Sequence, residues 1–322
     1  MIRNAQMDER EASSDISVVI PLLDEEQNLI PLYDGLSRVL EEMGKEYEIV
    51  FVDDGSRDGS FEILSSFYEG DPAHIRVVQL RRNFGKTAAL TAGFEEAQGQ
   101  LIITMDADLQ DDPAEIPKLL TKLEEGYDLV VAWRQERQDP LSKRLPSWIF
   151  NEVVSLMTRV RLHDLNCGLK VLRREAAVGL RLYGELHRFI PVLAHWRGYR
   201  VGEVPVAHRP RRHGRSKYGL KRLGRAFVDF LVVLFLTHYL KRPLQLFGAI
   251  GGTLFLLGFA ICSYLTILWF GGEGIGSRPL LFAGILAMIV GVQVASIGLL
   301  GEMIRNLTYR PEEEYSIRRV LR

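Results

Sequence analysis

Over the first 134 residues, short apolar runs alternate with helical repeats. "ISVVIP" at 16–21 is β-branched and apolar, and reads as a buried strand. Leu29, Leu32, Leu36, Leu40 and Met43 then recur at helical spacing, so a helix follows. The alternation continues: "YEIVFVDDGS" strand, "SFEILSSFY" helix, "IRVVQL" strand, "KTAALTAGFEEA" helix, "QLIITMDAD" strand, "PAEIPKLLTKLEEG" helix, "YDLVVAWR" strand. Such alternation predicts an α/β fold, a mostly parallel sheet with helices on both faces. Ligands of these sheets bind beyond the carboxyl ends of the strands. Asp24, Asp53, Asp54, Asp106 and Asp108 all fall at such ends, so one crevice should collect them.

After Arg134 the rhythm changes. "LPSWIFNEVVSLMTRV" places Ile149, Val153, Leu156 and Val160 on one helical face. Basic flanks (Lys143, Arg144, Arg159, Arg161) leave two readings open, a packing helix or one lying on a membrane surface. Residues 173–205 read as two helices and the strand "YRVGEVPV". A basic stretch, "RPRRHGRSKYGLKRLGR", precedes the helix "AFVDFLVVLFLTHYL", which reads as juxtamembrane.

Residues 243–272 and 279–301 carry no charge. A bilayer span needs roughly 20 apolar residues, and both qualify. The alternative is a helical hairpin buried in a soluble core. Lys241, Arg242, Arg305, Arg310, Arg318 and Arg319 flank the outer ends, against Arg278 alone in the linker. By the positive-inside rule both termini, and the long N-terminal part, face the cytoplasm. The expected organisation is a tail at 1–15, an α/β domain at 16–226 and an amphipathic juxtamembrane helix at 227–242. A transmembrane hairpin at 243–303 (spans about 244–270 and 279–301) and a cytoplasmic tail at 304–322 complete it. The polar start, "MIRNAQMDEREASSD", has no apolar core and does not read as a signal peptide.

Composition narrows the partners. The formal net charge is −1, so no global field points to nucleic acid. From Pro205 to Arg242, however, there are ten Lys/Arg and one acid, Asp229, which points to a local anionic partner. Cys167 and Cys262 lack zinc-site spacing, and two cysteines make no disulfide framework, which fits a reducing compartment.

The chemistry concentrates in "MDADLQDD", residues 105–112. Asp106, Asp108, Asp111 and Asp112 crowd together with Gln110 among them, and like charges this close repel unless something positive sits between. Two carboxylates two residues apart at a strand end suit a hard divalent cation that completes its shell with water and phosphate oxygens. A solvated acidic loop is the bland alternative. Asp53 and Asp54 could accept hydrogen bonds from a base or ribose, or could cap the turn "DDGSRDGS". Asp58 reads as a helix cap.

"SVVIPLLDEEQNL", "VDDGSRDGS", "RRNFGKTAAL", "MDADLQDDPAEIP", "LNCGLKVLRR", "HRFIP" and "RRHGRSKYG" occur in this order. Together they resemble the family-2 glycosyltransferases of the GT-A fold. More narrowly they resemble the polyprenyl-phosphate glycosyltransferases, of the dolichyl-phosphate mannose synthase and bacterial undecaprenyl-phosphate glucosyltransferase type. The resemblance runs from residue 16 to about 305, with one departure: Asp24 stands where the family usually has Asn before Glu-Glu.

The resemblance implies a Rossmann-like GT-A cytoplasmic domain. It implies metal-dependent (Mg²⁺ or Mn²⁺), inverting transfer of one sugar from a nucleotide-diphosphate donor to a polyprenyl phosphate at the inner membrane. Uridine-linked glucose is the first expectation for the donor, then guanosine-linked mannose and uridine-linked formamidoarabinose. Pro21, Asp24 and Glu25 would line the nucleoside, Asp54 would read the base, and Asp53 and Lys86 would complete the donor site. Asp106 and Asp108 would hold the metal, with Gln110 beside it. Arg211, Ser216 and Lys217 would close over the phosphates. Asp164 would stand near the acceptor, as a base or as a positioning group. His187 and Arg188 would start a helix near the acceptor, or serve structure only. Contact with membrane lipid follows, and some relatives form tetramers, which leaves a homo-oligomer open. Two rivals remain. A processive polysaccharide synthase would carry Q-x-x-R-W, and the nearest text here is "LAHWRGY". An inactive membrane scaffold or lipid-flipping partner would not need Asp106 and Asp108 intact.

Overall fold

A computed structural model describes residues 14–134, 162–180, 182–207, 243–272, 274 and 279–308. The chain divides into two compact units, Met1–Phe230 and Leu231–Arg322. The helix expected at 145–160, the juxtamembrane helix at 227–242, the loop bearing Arg211, Ser216 and Lys217, and most of both tails lie outside the described residues.

In the first unit the order is β1 (Ser14–Leu22), α1 (Glu26–Met43), β2 (Tyr47–Asp53), α2 (Ser60–Gly70), β3 (Ile75–Gln79), α3 (Lys86–Glu96) and β4 (Gly99–Thr104). A 3₁₀ turn (Pro113–Glu115) leads into α4 (Ile116–Glu124) and β5 (Leu129–Arg134). Then come β6 (Lys170–Arg173), α5 (Arg174–Val178), a 3₁₀ turn (Leu186–Phe189), α6 (Ile190–Trp196) and β7 (Val201–Val206). The sheet order is β3-β2-β1-β4-β6-β5-β7. Every neighbouring pair is parallel except the two that β6 makes, with β4 and with β5. All seven residues of β2 and the last seven of β1 are buried, as expected for central strands covered on both faces. On α1, Leu29, Leu32, Leu36 and Leu40 form the buried stripe that their spacing predicts. Strand β1 starts at Ser14, inside the expected tail, because Asp15 and Ile16 already donate to the Glu46 carbonyl.

The sequence reading missed β6. Its four residues, KVLR, have a base at each end and only two apolar residues between, too short a run to register as a strand. Its reversal matters for the site. Antiparallel pairing sets Thr104 opposite Lys170, and the Thr104 hydroxyl donates to the Gly168 carbonyl at 2.7 Å. The segment entering β6 therefore runs beside the carboxyl end of β4.

The second unit holds α7 (Pro243–Phe270) and α8 (Pro279–Thr308). Leu244–Phe270 and Pro279–Ile304 are long and apolar enough to cross a membrane. Large apolar side chains such as Ile267, Phe270 and Phe282 face outward, an arrangement suited to lipid. Between the helices, glycines let the backbones meet. A Cβ on Gly251 would lie 2.4 Å from the Gly291 carbonyl oxygen, and one on Gly258 2.4 Å from that of Gly284.

Candidate active site

The crevice forms where β1 and β4 diverge in topology, since β1 is flanked on one side by β2 and on the other by β4. Beyond β1, Asp24 takes a left-handed conformation (φ 49°), its Oδ1 accepting from Arg57 N at 2.8 Å while its own N–H donates to Ser56 Oγ. Glu25 accepts from Asn28 Nδ2 at 2.6 Å. Pro21 lies within β1, opposite Val52. At the end of β2, fully buried Asp53 accepts from Ser56 N and from Gln79 Nε2. Asp58 does more than cap its own turn: one oxygen accepts from Ser60 N and the other from Glu26 N, tying α2 to α1. These acids brace the loops above the sheet, as turn chemistry requires.

Asp54 links that framework to the acid cluster. Its two oxygens accept from Phe84 N at 2.7 Å and Gly85 N at 2.8 Å. Burial raises its pKa, and those two N–H groups oppose the rise. Gly85 has φ 98°, a conformation glycine adopts without strain, and the next residue, Lys86, opens α3. Lys86 Nζ lies 2.5 Å from Asp106 Oδ1.

Asp106, Asp108, Gln110 and Asp111 follow β4 in one tight loop. Leu109 holds φ 59°, rare for a residue with a branched side chain and a mark of local strain. Asp108 Oδ1 accepts from Gln110 N at 3.2 Å. Burial pushes the Asp106 carboxyl up, but Lys86 and then Lys170 outweigh it and hold the group below its ordinary value. Asp111 is different. Burial first, then the charges of Asp106 and Asp108, push it up to about 7. A Cβ on Gly168 would lie 2.5 Å from the Asp106 carboxyl carbon, so glycine there is what allows that carboxylate its place.

Two further buried pairs lie near these charges. Arg134 at the end of β5 grips Asp164 through Nε at 2.7 Å and Nη2 at 3.2 Å, with Asp164 2% exposed. Burial works against the Arg134 charge, yet Asp164 more than compensates and raises its pKa. Thr87 Oγ1 lies 2.7 Å from His187 Nδ1. Burial, then Lys86 and Arg188, push that imidazole down to about 2, so it is neutral.

Among the described residues no three His, Cys, Asp or Glu side chains converge closely enough to hold a metal unaided. The donors at the β4 tip are nonetheless all oxygen. Asp106 and Asp108 press on Asp111 in addition to its burial, while Arg134 and Lys86 oppose them. Clustered carboxylates of this kind fit a hard divalent cation bound by one or two of them, with water and phosphate as its other ligands.

The structure thus brings Lys86, Asp106 and Asp108 to one end of the sheet, with Asp54 behind Lys86. It adds Gly168, Lys170, Arg134 and Asp111, which sequence reasoning did not assign. Asp111 stood out in the acid cluster without a role of its own, and Gly168 and Lys170 lie in "LNCGLK", but β6 had to be known before these two could be read.

A sheet with this strand order, one reversed strand beside β4 and paired acids at the β4 tip, defines a GT-A-type sugar transferase fold. Solved structures that share it include a mycobacterial protein (TM-score 0.54, 23% identical, covering 72% of this chain and 78% of that one), and glucosyl-3-phosphoglycerate synthase from Mycobacterium tuberculosis in complex with Mn²⁺ and UDP-glucose (TM-score 0.53, 20% identical, 72% and 82%). The Glycosyl transferase family 2 profile matches residues 17–179. Over 320 residues the chain is 38% identical to dodecaprenyl-phosphate galacturonate synthase of Rhizobium johnstonii, covering 96% of this chain and 93% of that protein. Over 311 residues it is 39% identical to undecaprenyl-phosphate 4-deoxy-4-formamido-L-arabinose transferase of Pseudomonas aeruginosa, covering 95% and 90%. The chain belongs to glycosyltransferase family 2, and these relatives are polyprenyl-phosphate glycosyltransferases.

Proposed function

We propose that the protein transfers a single sugar from a nucleotide-diphosphate donor to a polyprenyl phosphate, at the cytoplasmic face of the membrane that its hairpin spans. The observation that carries this is the near-full-length likeness to two enzymes whose named acceptors are polyprenyl phosphates. The sugars of those enzymes are galacturonate and formamidoarabinose. A sugar altered at its periphery therefore becomes the first candidate, ahead of the glucose that the sequence alone favoured.

In the proposed reaction an acceptor phosphate oxygen forms a bond to the anomeric carbon. The bond from that carbon to the donor diphosphate breaks, and the nucleoside diphosphate leaves with the electron pair. A phosphate monoester has a second pKa of about 6 and is largely ionised at neutral pH, so no strong base is required. Asp164 then acts as the clamp on Arg134 rather than as a proton acceptor. Lys86, and Arg211 and Lys217 from the basic loop, stabilise the charge that develops on the departing diphosphate. Asp106, Asp108 and Gln110 would hold Mg²⁺ or Mn²⁺, which when bound supplies the remaining positive charge at that diphosphate. One displacement inverts the anomeric centre.

The test uses the full chain in detergent, a panel of radiolabelled nucleotide sugars, a divalent cation, and undecaprenyl phosphate present or omitted. A lipid-linked monosaccharide, formed only with the lipid phosphate, is expected. A long polymer would instead mark a processive synthase, and donor binding without turnover an inactive scaffold.

A further inference from the structure

His163 stands immediately before Asp164 and its side chain is 62% exposed, yet contacts from two strands fix it. Its backbone N–H donates to Glu203 Oε2 at 2.8 Å. Its ring Nδ1 lies 2.5 Å from Glu203 Oε1, and since a carboxylate only accepts, Nδ1 carries the proton. The ring also stacks on Trp133, with centroids 4.1 Å apart and planes 16° from parallel.

These contacts lie across the sheet from the Arg134–Asp164 pair. Val131 registers with Glu203 and Trp133 with Pro205. Strand side chains alternate, so Trp133 and Glu203 share one face and Arg134 points to the other. His163 is held on the first face, and Asp164, 2% exposed, is held by Arg134 on the second. The chain at 163–164 therefore hooks over the carboxyl end of β5 and is gripped on both sides. An exposed pair such as His163–Glu203 adds little to stability. What one carboxylate bonded to both the backbone and the ring of a residue supplies is geometry. His163 cannot turn without breaking a bond, and Asp164 is the next residue along.

We propose that Glu203 is a positioning residue for Asp164. By holding His163 against Trp133 on the outer face, it sets where Asp164 meets Arg134 on the inner one. Glu203 touches no reacting atom in this role and acts only through the segment it pins.

The inference rests on the transferase reading, so the experiment reads both turnover and unfolding. Wild type, Glu203→Ala, Glu203→Gln, Asp164→Asn and the double variant of Glu203→Ala with Asp164→Asn are compared as full-length protein in detergent. Transfer to undecaprenyl phosphate, from the nucleotide sugar of the panel above that wild type uses fastest, gives kcat and KM. Urea unfolding gives the midpoint. Glu203→Ala should lower kcat about fivefold or more, within what an ångström-scale displacement can cause, while the donor KM stays within twofold of wild type. Glu203→Gln keeps an acceptor for the His163 N–H and a polar group for the ring, and should bring kcat back to within twofold. Added to Asp164→Asn, Glu203→Ala should change the residual rate by less than twofold. The fall in midpoint caused by Asp164→Asn should be smaller when Glu203 is already replaced. Unchanged kcat in Glu203→Ala overturns the proposal, as does a loss that Glu203→Gln fails to recover or that multiplies with that of Asp164→Asn. If wild type moves no sugar to the lipid phosphate, the transferase reading falls; coupled midpoints then keep the clamp, and independent midpoints remove it as well.

Discussion

The ammonium of Lys86 rests 2.5 Å from a carboxylate oxygen of Asp106, and the backbone that delivers it is pinned by Asp54 through Phe84 N and Gly85 N. An acid at the end of β2 thus sets the position of a base that meets an acid at the end of β4. In the absence of a divalent ion, Lys86 supplies the positive charge that Asp106 faces.

That arrangement predicts opposite effects on two ligands. Replacing Lys86 with Gln removes a cation that competes with a metal for Asp106, so Mn²⁺ should bind the donor-free protein several-fold more tightly. The same change removes a charge facing the diphosphate, so UDP should bind more weakly. Isothermal titration with each ligand separately checks both signs. Weaker Mn²⁺ binding in the variant would mean that Lys86 orients Asp106 for the metal rather than competing with it.

Gly168 makes a sharper test of the same carboxylate. Its missing Cβ would stand 2.5 Å from Asp106 Cγ and 2.7 and 2.8 Å from the two carboxylate oxygens. Asp106 is short and stands at a strand end, so it can yield only by moving the carboxylate. A displacement near 1 Å costs a reaction up to about 100-fold. Gly168→Ala should therefore lose at least tenfold in kcat, with the unfolding midpoint moved by no more than a few degrees. Unchanged turnover would show that the Asp106 position is not critical.

Those two residues also show how much could be read before the fold was known. The first five strands and their helices were legible because each has an apolar run or a helical stripe, as in "ISVVIP" and Leu29–Leu32–Leu36–Leu40. The acids were legible because strand ends in such a sheet are where ligands bind. What was not legible was everything that depends on β6. Its reversal puts Gly168 against Asp106, and two apolar residues cannot announce a strand direction. Nor could spacing show that Asp54 spends hydrogen-bonding capacity on Phe84 and Gly85, or that Asp164 is matched to Arg134 from a strand 30 positions earlier.

Asp164 and Arg134 should behave as one unit. Removing one member of a buried ion pair costs about 3–5 kcal/mol, because the other charge is left without its partner. Asp164→Asn should destabilise the protein on that scale and lose most turnover while retaining UDP affinity. Arg134→Gln should give a similar kinetic loss, and the double variant should be no worse than either single one, recovering part of the stability. If Asp164 were a proton acceptor independent of Arg134, the kinetic losses would multiply and the acid limb of the pH–rate profile would vanish only in the Asp164 variants.

His187 gives a prediction in pH. Folding lowers its pKa from 6.5 to about 2, first through burial and then through the charges of Lys86 and Arg188. Between those two values the unfolded chain binds a proton that the folded protein does not. Stability on this account is therefore constant above the unfolded pKa and falls as pH drops through 6.5, at up to ~1.4 kcal/mol per pH unit. Gln at this position can still accept from the Thr87 hydroxyl, but it does not titrate. Urea unfolding of wild type and His187→Gln, in detergent at pH 8, 6 and 5, isolates the effect, since every other titrating group is common to both. The difference between the two proteins should be flat from pH 8 to 7 and should shift steadily in favour of the variant below pH 6.5. Parallel stability curves down to pH 5 would mean that the imidazole takes up its proton without unfolding, beside Lys86 and Arg188.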